Sequence, residues 1–481
     1  MSHATLTRLA CLAACGLAAC GGSSTGPSNG GITAVTISPP APSIVVGGTW
    51  ALVARDQAGA HIANGVTWAT SAPAIATVNG NGVLTAAAEG SATITATANG
   101  KSGSATVSVT LVTLTSVVAG GAHSCGLTAD GSAWCWGRGE SGQLGVSEPP
   151  AGCIIDSALF ACSPAAIAVE GGLHFVQLDA GGTHTCGLTS AGAAYCWGLN
   201  QAGQLGDNST TDRSVPVAVA GGLSFTSITT GVAHTCGLVA GGTAYCWGFN
   251  NYGQLGTGTT TSSKVPVAVT GGLTFQSLSA GGYFAGHTCG VTTGGAAYCW
   301  GDNGGGQLGI GTLDLTPHPQ PEAVSGGLVF ATVSAGLGEH SCARTAAGAA
   351  YCWGQNTYGA LGNGTQIQSF VPVAVSGGLA FTQLIAGGFI GHSCGLTSGA
   401  TGYCWGENEV GAIGDATTTD RLVPVPVAGG IGFTSLDAGY RHTCGHASGG
   451  RLYCWGSNRA GQLGINSVET KTAPVPVAGQ R

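Results

Sequence analysis

From residue 113 to the end of the chain, short apolar runs rich in β-branched residues are broken by glycine and proline every few positions. That pattern predicts strands and turns rather than helices. One plan repeats seven times. An apolar run such as Phe225–Ile228 leads into His-Ser/Thr-Cys, then nine residues, then Cys-Trp-Gly; a long segment with Gly-Gln-Leu-Gly and a Val-Pro-Val-rich run complete the unit. Paired cysteines mark the repeats: Cys125 with Cys135, Cys186 with Cys196, Cys236 with Cys246, Cys289 with Cys299, Cys342 with Cys352, Cys394 with Cys404 and Cys444 with Cys454. Most pairs recur at a spacing of about 50 residues, which suits propeller blades. The first interval is longer because residues 146–166 carry an insertion.

Within one hairpin the letters predict geometry. Cys125 and Cys135 are equidistant from Asp130, so antiparallel pairing sets them opposite each other across a loop Ala129-Asp130-Gly131, with glycine at the left-handed position. Glycine recurs there as Gly192, Gly242, Gly295, Gly348 and Gly450, whereas repeat six reads Gly399-Ala400 and predicts a different turn. Alternation puts His123, Cys125, Leu127 and Cys135 on one face and Trp134 and Trp136 on the other. Gly126 opposite Trp134 leaves room for that ring. The Ala-Gly-Gly-Leu link between Val219 and Phe225 is short enough for a hairpin, so the Gly-Gln-Leu-Gly segment becomes the expected crossing between blades. On that register the last strand, Pro474–Val477, pairs with Leu114–Val118 and closes the ring.

Residues 32–112 contain no cysteine, and their period-two stretches between turn signals such as Asn79-Gly80-Asn81-Gly82 predict a β-sandwich with Trp68 in its core. Residues 1–20 have the charge (Arg8), short apolar stretch and small residues of an export signal. Leu17-Ala18-Ala19-Cys20 resembles the lipobox of bacterial lipoproteins, which implies cleavage before Cys20 and lipidation of its thiol. Residues 21–31 form a Gly/Ser tether.

Composition narrows the chemistry. The chain has 88 glycines, one methionine and 7% charged residues, and its net charge of −7 leaves no basic stripe to neutralise phosphates, so nucleic acid is not expected as a partner. Of 19 cysteines, Cys11 and Cys15 leave with the signal and Cys20 takes lipid; the remaining sixteen are the repeat pairs plus Cys153 and Cys162 in the insertion. Even, locally paired cysteines in an exported chain read as disulfides. A zinc site built on His-x-Cys and the facing Cys lacks a fourth ligand in every repeat. The repeated histidines are then structural, hydrogen-bonded to backbone between blades, and Trp136, Trp197, Trp247, Trp300, Trp353, Trp405 and Trp455 pack between blades rather than serving as sugar platforms.

Two resemblances follow from these residues. Val35-Thr36-Ile37-Ser38-Pro39, Gly48-Thr49, Val66-Thr67-Trp68, Ile75-Ala76-Thr77-Val78 and Gly82-Val83-Leu84 resemble the group 2 bacterial immunoglobulin-like domain, which implies a spacer without catalytic residues. Gly-x-x-His-Ser/Thr-Cys-Gly-Leu, Cys-Trp-Gly-x-Asn and Gly-Gln-Leu-Gly resemble the regulator-of-chromosome-condensation repeat, with mild departures at Gly359-Ala-Leu-Gly362 and Gly411-Ala-Ile-Gly414. The expected fold is all-β: a seven-bladed β-propeller at 113–481 preceded by an immunoglobulin-like β-sandwich at 32–112.

No phosphate loop with its Lys-Ser/Thr, no HExxH and no well-placed Gly-x-Ser-x-Gly is present, and no cofactor or metal is expected. The expected role is a non-enzymatic cell-envelope lipoprotein, held to the membrane by its lipid alone, that presents the propeller to a protein or glycan. A passive structural component is the alternative, and an enzyme using the channel comes third. Candidate binding residues are those that enlarge otherwise minimal loops before the repeated histidine: Tyr283, Phe284, Glu339, Phe389, Ile390, Tyr440 and Arg441. Phe249, Tyr252 and Tyr358 on the long segments extend the patch.

Overall fold

The computed structural model describes residues 31–40, 42–148, 151–155, 158–282, 285–388 and 391–481. The signal, Cys20, most of the tether, and the loop residues Tyr283, Phe284, Phe389 and Ile390 lie outside them. The described residues form strands and turns with no helix. Seven antiparallel four-stranded blades follow one another, each running inner, histidine, tryptophan and outer strand in sequence order, as in Phe225–Thr230, His234–Val239, Ala244–Gly248 and Ser263–Ala268. The inner strands surround a narrow central channel.

The register differs from the sequence expectation. The last strand, Lys471–Pro476, pairs with Leu452–Gly456 of its own blade (Cys454↔Val475), not with Leu114–Ala119. The Gly-Gln-Leu-Gly crossing stays inside the blade, and the Ala-Gly-Gly-Leu link joins consecutive blades. The reason is local. A bulge at each Trp-Gly, with Gly198 at φ 110°, turns the chain away and lets the crossing return to the same strand. The short link is tied at both ends to the preceding blade (Ala220 N–H to Gly206 O, 2.8 Å; Phe225 N–H to Gly192 O, 2.8 Å), so it runs beneath that blade to the next inner strand.

The hairpins match expectation closely. Cys125 faces Cys135 and is bonded to it. The same disulfide joins Cys186 to Cys196, Cys236 to Cys246, Cys289 to Cys299, Cys342 to Cys352, Cys394 to Cys404 and Cys444 to Cys454. Across these seven bridges the Cα atoms are 4.0–4.1 Å apart, so each links directly opposed residues of one hairpin. Gly131 takes φ 86°. Repeat six keeps the same turn: Ala400 occupies the left-handed position at φ 62° and donates its N–H to Thr397 O (3.0 Å), as Gly131 does to Thr128 O. The space beside the repeated glycine is filled differently from expectation. A Cβ on Gly187, Gly237 or Gly395 would lie 2.4–2.6 Å from the inner-strand ring of Phe175, Phe225 or Phe381, so the glycine seats that phenylalanine. Cys153 and Cys162 also form a disulfide, in a hairpin of Ala151–Ile155 and Ala158–Ala168 whose second strand continues as the outer strand of the first blade.

Because the disulfide and histidine share one blade face and the tryptophan takes the other, blades pack head to tail. Cys186, Cys196, Leu188 and Leu205 of the second blade meet Phe225, Ile228 and Trp247 of the third, and the last blade meets the first in the same way through Cys444, Cys454 and Trp136. All seven histidines are fully buried, and each Nε2 lies 2.8–3.0 Å from the Ser/Thr hydroxyl of the next blade, ending with His442 on Ser124. The partner is therefore a side-chain hydroxyl, not the backbone.

The N-terminal unit packs Ile37, Leu52, Leu84, Ile94 and Val107 between its strands. Its buried tryptophan is Trp50, not Trp68, which is half-buried because Val66–Thr70 is an edge strand paired on one side only. Ser43–Val45 lies between Lys101–Thr110 and the outer strand of the first blade, so one sheet runs from sandwich into propeller.

Candidate functional site

The loops before each histidine and the long crossings share one face. In every blade the residue after Cys-Trp-Gly donates its N–H to the carbonyl two residues upstream of the Ser/Thr, as Phe249 does to Ala233 (2.9 Å) and Ser457 to Arg441 (2.8 Å). Outside the first blade, which has Gly139 at that position, the crossings are built on a buried asparagine. The Asn200 side chain donates to Thr211 O (3.0 Å) while its Oδ1 accepts the Leu205 N–H (3.0 Å), and Asn356 and Asn408 do the same in their blades. This role for the asparagine of Cys-Trp-Gly-x-Asn was not foreseen from sequence. It gives the face a rigid base.

The described candidate residues fall into three places. Tyr440 lies over the channel mouth: its N–H bonds Gly120 O (3.2 Å), and Cβ atoms on Gly121 or Gly182 would come within 2.9 Å of its ring or hydroxyl. Arg441 bridges Glu407 (2.5 Å) and Glu409 (2.6 Å). Those carboxylates, with Tyr358, Thr418, Thr419 and Asp420, line a cavity of about 530 Å³. Phe249 and Tyr252 form a separate half-buried pair with ring centroids 6.4 Å apart. Glu339 accepts from Gln355 (3.3 Å) and stands beside Asp302, whose pKa is raised by burial and further by Glu339. The structure thus sets Tyr358 in one cavity with the two carboxylates that Arg441 bridges and leaves Phe249 and Tyr252 apart from it.

Sequence reasoning missed Asp302, Glu407, Glu409 and Asp420. A signal existed: the residue after Cys-Trp-Gly is Arg138, Leu199, Phe249, Asp302, Gln355, Glu407 and Ser457 in turn, variable where its neighbours barely change. It also missed the acids of the channel. Inner-strand hydroxyls accept an N–H from the next blade: Thr229 from Ala280, Ser279 from Ala335 and Ser334 from Ala386, at 2.9–3.1 Å. The first and sixth blades offer Val118 and Ile385 instead. The blades after them carry Asp179 and Asp437, and each carboxylate serves two N–H groups, its own neighbour (Ala180, Ala438) and the following blade (Thr230, 2.6 Å; Ala119, 2.7 Å). Burial pushes these acids up to about 6 and about 7.

The His-x-Cys and facing Cys of each repeat have no thiolate to offer a metal, since the sulfurs are paired. Among the described residues no group of three His, Cys, Asp or Glu is placed to hold a cation.

Comparison with known proteins gives the following. A family profile described as RCC1-like domain matches residues 161–481, profiles for the regulator of chromosome condensation (RCC1) repeat match 114–143 and 130–188, and the group 2 bacterial Ig-like domain matches 32–110. The ultraviolet-B receptor UVR8 of Arabidopsis thaliana is 31% identical over 318 residues, covering 65% of this chain and 58% of that protein. Human E3 ubiquitin-protein ligase HERC2 is 29% identical over 316 residues, 65% of this chain but 5% of that protein. Among solved structures, human WBSCR16 superposes with a TM-score of 0.61 at 20% identity, covering 70% of this chain and 88% of that one. Prp20p of Saccharomyces cerevisiae, whose structure was described with its binding to Gsp1p and histones, gives 0.58 at 20% identity, covering 69% and 82%.

Proposed function

The chain belongs to the RCC1-like domain family, and on that premise we propose that it is a non-enzymatic recognition protein of the bacterial cell envelope, anchored through lipid on Cys20, that holds a protein or glycan ligand on its loop face. The carrying observation is the contrast between fixed and variable positions. Histidine, hydroxyl, disulfide, tryptophan and asparagine are committed to the ring, whereas the residue after each Cys-Trp-Gly changes charge and size from blade to blade on that one face. Variable loops on a rigid scaffold are how propellers present binding surfaces. Binding of Gsp1p and histones is described for Prp20p; for this chain it supports a protein ligand in general. Asp302, Glu339, Glu407, Glu409 and Asp420 make nucleic acid a poor match for the face.

The passive structural reading draws on Tyr440 and Arg441, whose contacts given above are within the molecule. Capture from cell-surface protein and glycan extracts on the immobilised chain separates the two. Recognition predicts a retained species lost with Tyr358→Ser at unchanged melting temperature; a structural role predicts no retained species. The anchor has its own check. Cys20→Ser should move the protein from the membrane to the soluble fraction, and continued sedimentation with lipid contradicts lipidation there.

A further inference from the structure

Six outer strands carry proline at one register. Pro216, Pro266, Pro321, Pro372, Pro424 and Pro474 each precede the residue paired with the second cysteine of the blade. That paired residue turns its N–H inward, so the N–H of the one before it would face outward. Proline removes this donor and leaves the edge unable to accept another strand there. In the first blade the residue before Ile167, which pairs with Cys135, is Ala166. That edge is occupied: Ile167 pairs with Ile44 of the immunoglobulin-like module.

The added strand also reaches the seam between the last and first blades. Val45 is buried in one cluster with Leu114, Trp136 and Ala166 of the first blade and Cys444, Leu463 and Val477 of the last. The C-terminal tail is held at the same place. Val112 donates its N–H to Gly479 O (2.8 Å) and pairs with Gln480, a Cβ on Gly479 would lie 2.4 Å from Val45, and Arg481 meets Glu89 (2.6 Å). Among the described residues no strand is exchanged between the first and last blades.

We infer that the immunoglobulin-like module is the clasp of the propeller: Ser43–Val45 and the tail 477–481 together lock the seam where the ring begins and ends. The module is then part of the ring and not a free spacer, and the loop face is held at a fixed angle to it. The missing proline at residue 166 is what admits the clasp.

Hydrogen exchange on the full chain tests this. Ala166→Pro should speed exchange in Ser43–Val45, Leu114–Ala119 and Lys471–Pro476 by roughly tenfold or more while the seam between the third and fourth blades keeps its protection. If Ala166→Pro prevents folding, Val45→Ala, which only trims the seam contact, should give the same selective pattern at smaller amplitude. Release of Ser43–Val45 with the last seam unchanged overturns the inference, and so does acceleration spread evenly over all seven seams.

Discussion

At the scale of single residues, the repeated histidine is defined by where a hydroxyl proton goes. Each Ser/Thr hydroxyl donates to a carbonyl of the preceding blade's crossing, as Thr235 does to Gln204 O (2.8 Å). It must therefore accept from the histidine, which fixes the tautomer with the proton on Nε2 and leaves Nδ1 without a partner in all seven rings. Burial holds these histidines neutral, lowering their pKa to about 4 in His123 and His340 and about 3 in the other five. The unfolded chain binds those protons near 6.5, so their stabilisation is present above that pH and is lost as pH falls toward 3–4. Each ring contributes up to about 1.4 kcal/mol per pH unit in that window. Asp179 and Asp437 act in the opposite sense: raised pKa values favour the fold at low pH, and that contribution is lost as pH rises through about 6 and 7. Because seven rings outweigh two acids at every pH in this range, urea melts between pH 4 and 8 should show stability rising steeply from pH 4 and levelling off above about pH 7; a flat profile contradicts the buried neutral rings. Ala400 allows a second check. A left-handed alanine is strained by about 1 kcal/mol, so Ala400→Gly should raise stability by roughly 0.5–1 kcal/mol in the same melts, whereas glycine destabilises ordinary strand positions.

At the scale of elements, the hairpin is the unit that the sequence states most openly. Two cysteines symmetric about Asp130 and a glycine one residue later define register, turn and face together. The disulfide closes a short loop, so replacing Cys236 and Cys246 with Ser should cost about 2–3 kcal/mol. The loss should be confined to the third blade in hydrogen exchange, while a non-reduced peptide digest of the parent shows every repeat pair joined; stoichiometric free thiols would contradict the hairpin geometry. Blade boundaries were not legible in the same way. A two-glycine link looks like a hairpin turn, and only the bonds from Ala220 and Phe225 to the preceding blade show that it joins blades. The turn of repeat six was misjudged for a related reason: tertiary packing imposes on Ala400 a conformation its own preference disfavours.

At the scale of the whole molecule, ring and sandwich follow from faces that fit one another: disulfide against tryptophan, histidine against hydroxyl, and a proline-free edge against the strand around Ile44. The seven-fold ring was readable from periodicity because every blade has the same two faces. The candidate site was readable only in part. Enlarged loops pointed to Tyr440 and Arg441, but the carboxylates that Arg441 bridges come from the neighbouring crossing, about 30 positions earlier in the chain, and no local pattern links them. The proposed recognition surface is the loop face, and photo-crosslinking tests that proposal most directly. A photoreactive side chain is placed at Tyr358 on the loop face or at Ser224 on the opposite face of the full chain, and adducts are read in intact cells. A recognition surface there predicts a discrete adduct from residue 358 and none from 224; equal labelling at both, or none at either, would contradict it.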